Sequence, residues 1–347
     1  MGATNQLSSI LRLRAWKLAL AGPTVYWYFP IFFVLLSTHS SVSVVGLTSL
    51  FVVLAVSASW GFLLNDLFDR ETDSMSGRAD SIHGHDLSKR TMWALILGTA
   101  LVSWIVVFMI GGGYIFKLVL ALNYLVSIMY SVQPIKLKRR KFWGFFANAV
   151  MERPLPILVF LSYMEYYTIF TAVLPIAVEF TWSVFKHQAA DVKEDIASGV
   201  STFATQLGET LSNRIVQSFL NPLSAISLLF LVGISWYYVP ALSLSLEVCF
   251  GIILLGTIAS YAAEKSGKVK TYVTPTDPPY VMFLNVAYRF LLLPILGYGI
   301  VESRPTFYPL LVILAITLGF QALLYAKMAR QLVPQRTAQT ITAAGSG

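Results

Sequence analysis

Two runs of this 347-residue sequence place oxygen-bearing side chains at helical spacing. The first reads Asn65-Asp66-Leu67-Phe68-Asp69-Arg70-Glu71-Thr72-Asp73. On a helix, Asn65, Asp69 and Asp73 recur every four residues and share a face, with Asp66 one ridge over. The second run is His187-Gln188-Ala189-Ala190-Asp191-Val192-Lys193-Glu194-Asp195-Ile196-Ala197-Ser198-Gly199, in which Asp191 and Asp195 are again four apart. Carboxylates this close repel one another unless cations neutralise them. Hard oxygen ligands favour Mg2+, which keeps waters and prefers substrate phosphates to an all-protein cage. Two such faces on one side of a molecule can hold Mg2+ against a diphosphate. Its charge is then neutralised as it leaves, and a carbon–oxygen bond can ionise to an allylic cation. A solvated helix cap is the ordinary reading of either run alone; the pair argues against it.

Other side chains are candidates around these runs. Lys136, Lys138, Arg139, Arg140 and Lys141 could contact a diphosphate or anchor a loop to anionic lipid, and lipid is the simpler role for most of the five. Arg78, five residues after the first run, is a candidate second cation for phosphate oxygens. His187, one turn before Asp191 beside Gln188, is either a base near neutral pH or a polar helix end. His83 and His85 lie in a glycine-containing loop and read as surface residues.

What positions the two runs is a membrane bundle. The chain is 56% hydrophobic and 12% charged, about half the charge of a soluble protein, with a mean hydropathy of +0.68. Disorder and a nucleic-acid-binding scaffold are excluded. The single cysteine, Cys249, rules out a disulfide framework and reads as a small buried hydrophobe. With about 20 apolar residues needed per crossing, ten runs qualify, near 15–37, 44–64, 93–111, 114–132, 142–163, 167–185, 215–237, 239–262, 281–301 and 307–326. Continuous apolar runs, without the alternation of barrel strands, predict helices. The N-terminus carries no small-residue cleavage site, so the first run is expected to insert and stay.

Net charge is +8 and the pI about 9.4. Of the 25 lysines and arginines, Arg304 alone falls on one side of this layout and Lys117, Arg153 and Arg289 fall within spans; all the others share the opposite side. That asymmetry is the positive-inside rule. It predicts both termini and both acidic runs on the cytoplasmic side, with no nucleic-acid partner to explain the charge. The Thr/Ala/Gly/Ser stretch 337–347 is expected to be a disordered tail after a single membrane domain, 1–336.

Charges inside the spans need partners, because an unpaired one costs several kcal/mol in lipid. Glu152 and Arg153, being adjacent, point apart on a helix, so each is expected to find a partner on another helix; Glu179 and Arg289 are similar cases. Glu247 lies nearer the opposite surface. Most aromatics serve packing and the interface, while Trp60, Tyr124 and Trp182 could line a tunnel and face a carbocation.

These motifs resemble those of the UbiA superfamily of intramembrane prenyltransferases, which includes UbiA-type terpene cyclases. The family's Asn-Asp-x-x-Asp-x-x-x-Asp is matched by Asn65, Asp66, Asp69 and Asp73. Its Asp-x-x-x-Asp followed by glycine and threonine is matched by Asp191, Asp195, Gly199 and Thr202, continuing into Phe203-Ala204-Thr205-Gln206-Leu207-Gly208. The stretch Tyr130-Ser131-Val132-Gln133-Pro134-Ile135-Lys136-Leu137-Lys138-Arg139 is similar to the family's Tyr-Ser-x-x-Pro and Leu-Lys-Arg elements. The likeness covers about residues 15 to 300. It departs after the first motif, where Arg78-Ala79-Asp80-Ser81-Ile82-His83-Gly84 stands in place of Arg-Pro-x-x-x-Gly.

The resemblance implies an all-α bundle of nine transmembrane helices, against ten counted here, around a central cavity. It implies Mg2+ held by Asn65, Asp66, Asp69, Asp73, Asp191 and Asp195, with Asp69, Asp191 and Asp195 catalytic. A prenyl diphosphate would be gripped by Asn65, Tyr130 and Lys138 together with Arg78, its tail in an apolar tunnel. The expected reaction is transfer of the prenyl group to an aromatic or other lipophilic acceptor. A class I terpene cyclase would carry the same motifs, with the substrate's own double bonds quenching the cation. A transporter would need acids at mid-depth, whereas these sit at span ends.

Overall fold

The computed structural model describes residues 43–75, 88–181, 183–197, 199–238 and 243–266, with residues 280, 281 and 284. Every regular element among them is helical. The expected spans at 15–37 and 307–326, nearly all of 281–301, the tail, Arg78 and Trp182 lie outside the described residues.

Helix α1 (Val44–Met75) runs past the expected span end at residue 64, so the first acidic run lies within its final three turns. It buries Leu47, Leu50, Leu54, Ser57, Trp60 and Leu64, a stripe at helical spacing. Helix α2 (Lys89–Ile110) starts at Ser88, whose hydroxyl accepts from the Thr91 amide at 3.1 Å. It buries Met92, Ile96, Ser103 and Val107 and leaves Leu97, Leu101, Ile105, Phe108 and Met109 exposed. A helix apolar on its outer face as well as its inner one is facing hydrocarbon rather than water. Helix α3 (Tyr114–Ser131) does the same, burying Phe116, Leu120 and Tyr124 against α1 and exposing Leu118, Leu122 and Leu125.

The apolar run 142–163 is not one helix. It is α4 (Phe142–Glu152) and α5 (Pro154–Tyr163), divided at Arg153 with φ −136° and ψ −56°. A residue before proline is pushed out of the α region and Pro154 has no N–H to continue the ladder. The run 167–185 also divides, into α6 (Ile169–Thr181) and α7 (Val184–Ala190), and α8 (Val192–Ala197) follows. After α9 (Phe203–Ile215), broken at Gly208, comes a five-residue π-helical segment, Val216–Leu220, then α10 (Asn221–Tyr238) and α11 (Ser243–Lys265). The expected span 215–237 thus begins twelve residues early at Phe203.

Among the described residues, five stretches are long and apolar enough to cross a membrane: Val44–Arg70, Lys89–Ile110, Tyr114–Ser131, Phe142–Tyr163 and Phe203–Leu231. One core runs through α1, α2, α3, α5, α6, α10 and α11. A separate small cluster of Phe185, Ala189, Val192, Ala204, Val216 and Leu220 lies beneath the second acidic run. Rings of Phe145, Phe185 and Phe203 meet there with centroids 5.6 to 5.9 Å apart, tying α4, α7 and α9 together.

Candidate active site

The first motif and the basic loop meet as one unit. Between α3 and α4 the chain makes a tight turn: Lys136 takes a left-handed φ of 35°, and a single 3-10 turn covers Leu137–Arg139. This swings two lysines back onto the end of α1. The Lys138 ammonium donates to Asn65 Oδ1 at 3.0 Å and forms an ion pair with Asp69. Lys136 donates to the Phe68 carbonyl at 3.2 Å and lies 3.8 Å from the same Asp69 oxygen. Ser131 completes the cluster, its hydroxyl 3.4 Å from Asn65 Oδ1. Tyr130 lies within the field of Asp69, and Asp66 is buried. Asp73 lies in the last turn of α1.

The loop reaches this far because Gly144 lets it. A Cβ there would stand 2.7 Å from the Leu137 carbonyl oxygen and 2.8 Å from Lys138 Cα, closer than real side chains come. The backbone carrying Lys138 rests on the first turn of α4 where any other residue would hold it off. The sequence offers Lys136 only as one of five basic residues with lipid as the simpler role for most, and Ser131 only within the family-like stretch; it does not single out Gly144. The signal available for the glycine was its isolation among Phe142, Trp143, Phe145 and Phe146.

The second motif is built by helix ends. Asp191 caps α7 at φ −93° and ψ 0°, its amide donating to the His187 carbonyl at 3.2 Å. The Asp195 amide donates to the Asp191 carbonyl at 2.8 Å, so the helical register persists across the join and the two acids stay one turn apart. Asp195 is buried and Asp191 half-exposed. Gly199 sits at φ 70°, with Val200 N–H on the Asp195 carbonyl and Gly199 N–H on that of Ile196. That six-to-one, five-to-two pattern is a Schellman stop. Thr202 then starts α9 in a reciprocal cap with Thr205, at 3.2 and 2.9 Å. The glycine and threonine of the motif therefore end one helix and begin the next. His187 is 79% exposed and 3.8 Å from Asp191, the position of a surface partner.

Adjacent Glu152 and Arg153 correct one expectation: they pair with each other at 3.3 Å, because α4 ends between them and Arg153 leaves the helical direction. Arg153 also finds the expected partner on another helix, Glu179, at 3.0 Å. Trp60 and Tyr124 pack edge to face on each other, with ring centroids 4.5 Å apart.

The comparisons with known proteins can now be set beside this geometry. The family model described as the UbiA prenyltransferase family matches residues 23–285. The chain belongs to the UbiA prenyltransferase family. As a UbiA protein with five membrane-crossing stretches among its described residues, it is an integral, multi-pass membrane protein. It is similar, at 23% identity over 229 residues, to digeranylgeranylglyceryl phosphate synthase of Saccharolobus solfataricus strain P2, covering 64% of this chain and 77% of that one. Its fold is similar to a UbiA homolog from Archaeoglobus fulgidus bound to DMAPP and Mg2+, with a TM-score of 0.53 at 15% identity over 91% of this chain and 98% of the other. The same holds for that homolog bound to GPP and Mg2+, with a TM-score of 0.53 at 16% identity over 91% and 99%.

Whether this UbiA chain's own residues suit a divalent cation is answered by its donor set. Asn65 Oδ1 and an Asp69 carboxylate oxygen already converge on one cation, the Lys138 ammonium. Gln188 Oε1, one turn before Asp191, is buried without a hydrogen-bond donor among the described residues. Amide and carboxylate oxygens of this kind suit Mg2+. Among the described residues no three His, Cys, Asp or Glu side chains converge tightly enough to form a cage by themselves.

Proposed function

We propose that this chain is a Mg2+-dependent intramembrane prenyltransferase that ionises an allylic prenyl diphosphate at its two acidic motifs and passes the prenyl group to a lipophilic acceptor. The observation that carries the reading is the Lys138 ammonium shared by Asn65 and Asp69. A cation and two oxygen donors meet at the polar end of an otherwise apolar helix, in the order the family motif requires. The donor sets of Asn65, Asp66, Asp69 and Asp73 on α1 and of Asp191 and Asp195 on α7 and α8 would hold the metal. Bound there, Mg2+ supplies charge neutralisation for the leaving diphosphate.

The protein's own groups do the rest. Lys138, held in place by Asn65 and Asp69, would also donate to a phosphate oxygen, a charge-assisted hydrogen bond that strengthens as charge builds. Lys136 stays on the Phe68 carbonyl and holds the loop. Tyr130, next to Ser131 at the end of α3, would face the diphosphate as a further donor. The buried aromatics of α1 and α3, Trp60 and Tyr124, lie farther along the apolar part of the bundle, where water is excluded and a cation survives. The charge asymmetry supports a cytoplasmic diphosphate site with both termini on the same side.

The test is product analysis. Detergent-purified protein is given Mg2+ and DMAPP or GPP, with and without a panel of aromatic and glycerol-lipid acceptors. Diphosphate release that depends on the acceptor, with a prenylated product, is the expected result. Cyclic hydrocarbon formed without acceptor would replace transfer by cyclisation, and no release under any condition would remove the enzymatic reading.

A further inference from the structure

The Arg153–Glu179 ion pair touches the element that carries the second motif. Glu179 is near the end of α6. One of its oxygens accepts from Arg153 at 3.0 Å, and the other accepts the backbone N–H of Val184, the first residue of α7, at 2.9 Å. Helix α7 is only seven residues long, too short to hold itself. Its opening N–H groups need acceptors, and it has them: Glu179 for Val184, the Ser183 hydroxyl for Phe185 at 3.2 Å, and the Ser183 carbonyl for Lys186 at 3.0 Å. A carboxylate is also the favoured charge at this end of a helix. At the far end of α7 stand Gln188, with its unpartnered buried oxygen, and Asp191.

Arg153 follows the last residue of α4, and α4 begins at the turn that supports Lys138 through Gly144. A continuous line of contact therefore joins the motifs: Lys138 loop, Gly144, α4, Arg153, Glu179, Val184, α7, Asp191. A pair this well buried is a poor stabilising device. Both ions lose hydration, Arg153 Nε is left without a partner among the described residues, and apolar replacements of similar size are often no worse.

We propose that Glu179, held by Arg153, is a positioning residue that sets the second acidic motif at its working distance from the first. This rests on the reading of both motifs as one metal–diphosphate site. An unpaired buried charge is avoided by testing in the Arg153→Met background. There, Glu179→Ala removes the acceptor of Val184, whereas Glu179→Gln keeps an oxygen for it.

Two readouts are taken on detergent-purified protein: hydrogen exchange of the amides of residues 184–191, and Mn2+ binding followed by electron paramagnetic resonance. With Arg153→Met/Glu179→Ala, exchange in that segment alone is expected to accelerate, with Mn2+ bound about 10- to 100-fold more weakly, the usual effect of losing an outer support of metal ligands. Arg153→Met/Glu179→Gln is expected to restore most of both. Should the alanine variant fail to fold, Arg153→Met/Glu179→Leu, which keeps the side-chain bulk and also lacks the oxygen, takes its place with the same two expected losses. Equal Mn2+ affinity and equal exchange across the set would overturn the proposal, as would an equal loss in the alanine and glutamine variants. The exchange comparison needs no turnover, so a wild-type chain that releases no diphosphate strikes the proposed activity and not this one.

Discussion

The Lys138 ammonium stands 3.0 Å from the amide oxygen of Asn65, which is presented from another helix and is otherwise approached by the Ser131 hydroxyl. The amide oxygen is fixed by two donors, and the lysine is fixed by Asn65 and Asp69 together. A diphosphate arriving there would find a cation already oriented, with little side-chain freedom left to lose. Lys138→Met, close in length and uncharged, should lower kcat/KM for the prenyl diphosphate by about 100- to 1,000-fold, as removal of one preorganised donor does elsewhere. Steady-state diphosphate release checks it. A change confined to KM would mean that Lys138 binds ground state and transition state alike.

Gly144→Ala asks whether the position of Lys138 matters apart from its charge. The added methyl meets backbone atoms, the Leu137 carbonyl and Lys138 Cα, which cannot rotate away as a side chain end can. Relief requires the loop to move off α4, carrying Lys138 from Asn65 and Asp69. Overpacking of this kind costs about 1–3 kcal/mol. The expected outcome is lower activity with the lysine intact, and little further loss when Lys138→Met is added. Full additivity of the two would show that they act separately.

How much of this was legible in the residues depends on the length scale of the interaction. The acidic face of α1 follows from spacing alone, since a helix that starts apolar and continues for two more turns keeps Asn65 and Asp69 together. The partnership of Lys138 with that face depends on a left-handed turn at Lys136 and a glycine contact with α4, both tertiary facts. The break at Arg153 was written in Pro154 and Pro156, but hydropathy is blind to it because both halves are apolar. The break between α6 and α7 has no proline; the new helix starts at Ser183, whose hydroxyl accepts from the Phe185 amide. Once Arg153 leaves the helix, the rule that adjacent side chains diverge no longer applies, and the Glu152 pair follows. The early start of α9 was also readable: Thr202 and Thr205 are three apart, as a reciprocal cap requires.

That cap gives a prediction that separates structure from chemistry within one motif. Thr202→Ala removes the acceptor of the Thr205 amide and should cost about 1 kcal/mol of stability. Thr202→Ser should recover it. Because the hydroxyl is engaged with backbone and not turned to a substrate, turnover per folded molecule should change little in either variant. Reversible unfolding in mixed micelles together with specific activity checks this. A threonine whose loss leaves stability alone and stops diphosphate release would instead be a ligand.

Asp69 and Asp191 should fail in the same way although they belong to different motifs. Each carboxylate would hold a cation against the same diphosphate, so loss of either leaves that charge without its counter-ion, and Asp69→Ala and Asp191→Ala should each abolish release. The readout that does not depend on turnover is stability. A ligand that binds only the folded state adds about 2.7 kcal/mol at a hundredfold excess over its Kd. Saturating Mg2+ with a non-ionisable prenyl diphosphate analogue should stabilise the wild type by about that amount, should lose its effect when EDTA is added, and should do little for either alanine variant. The variants differ in what they leave behind. Without Asp69, Lys138 keeps Asn65 and is no longer neutralised, so the diphosphate analogue alone, without Mg2+, should bind Asp69→Ala better than it binds Asp191→Ala. Full turnover in either alanine variant would show that the two motifs do not share one site.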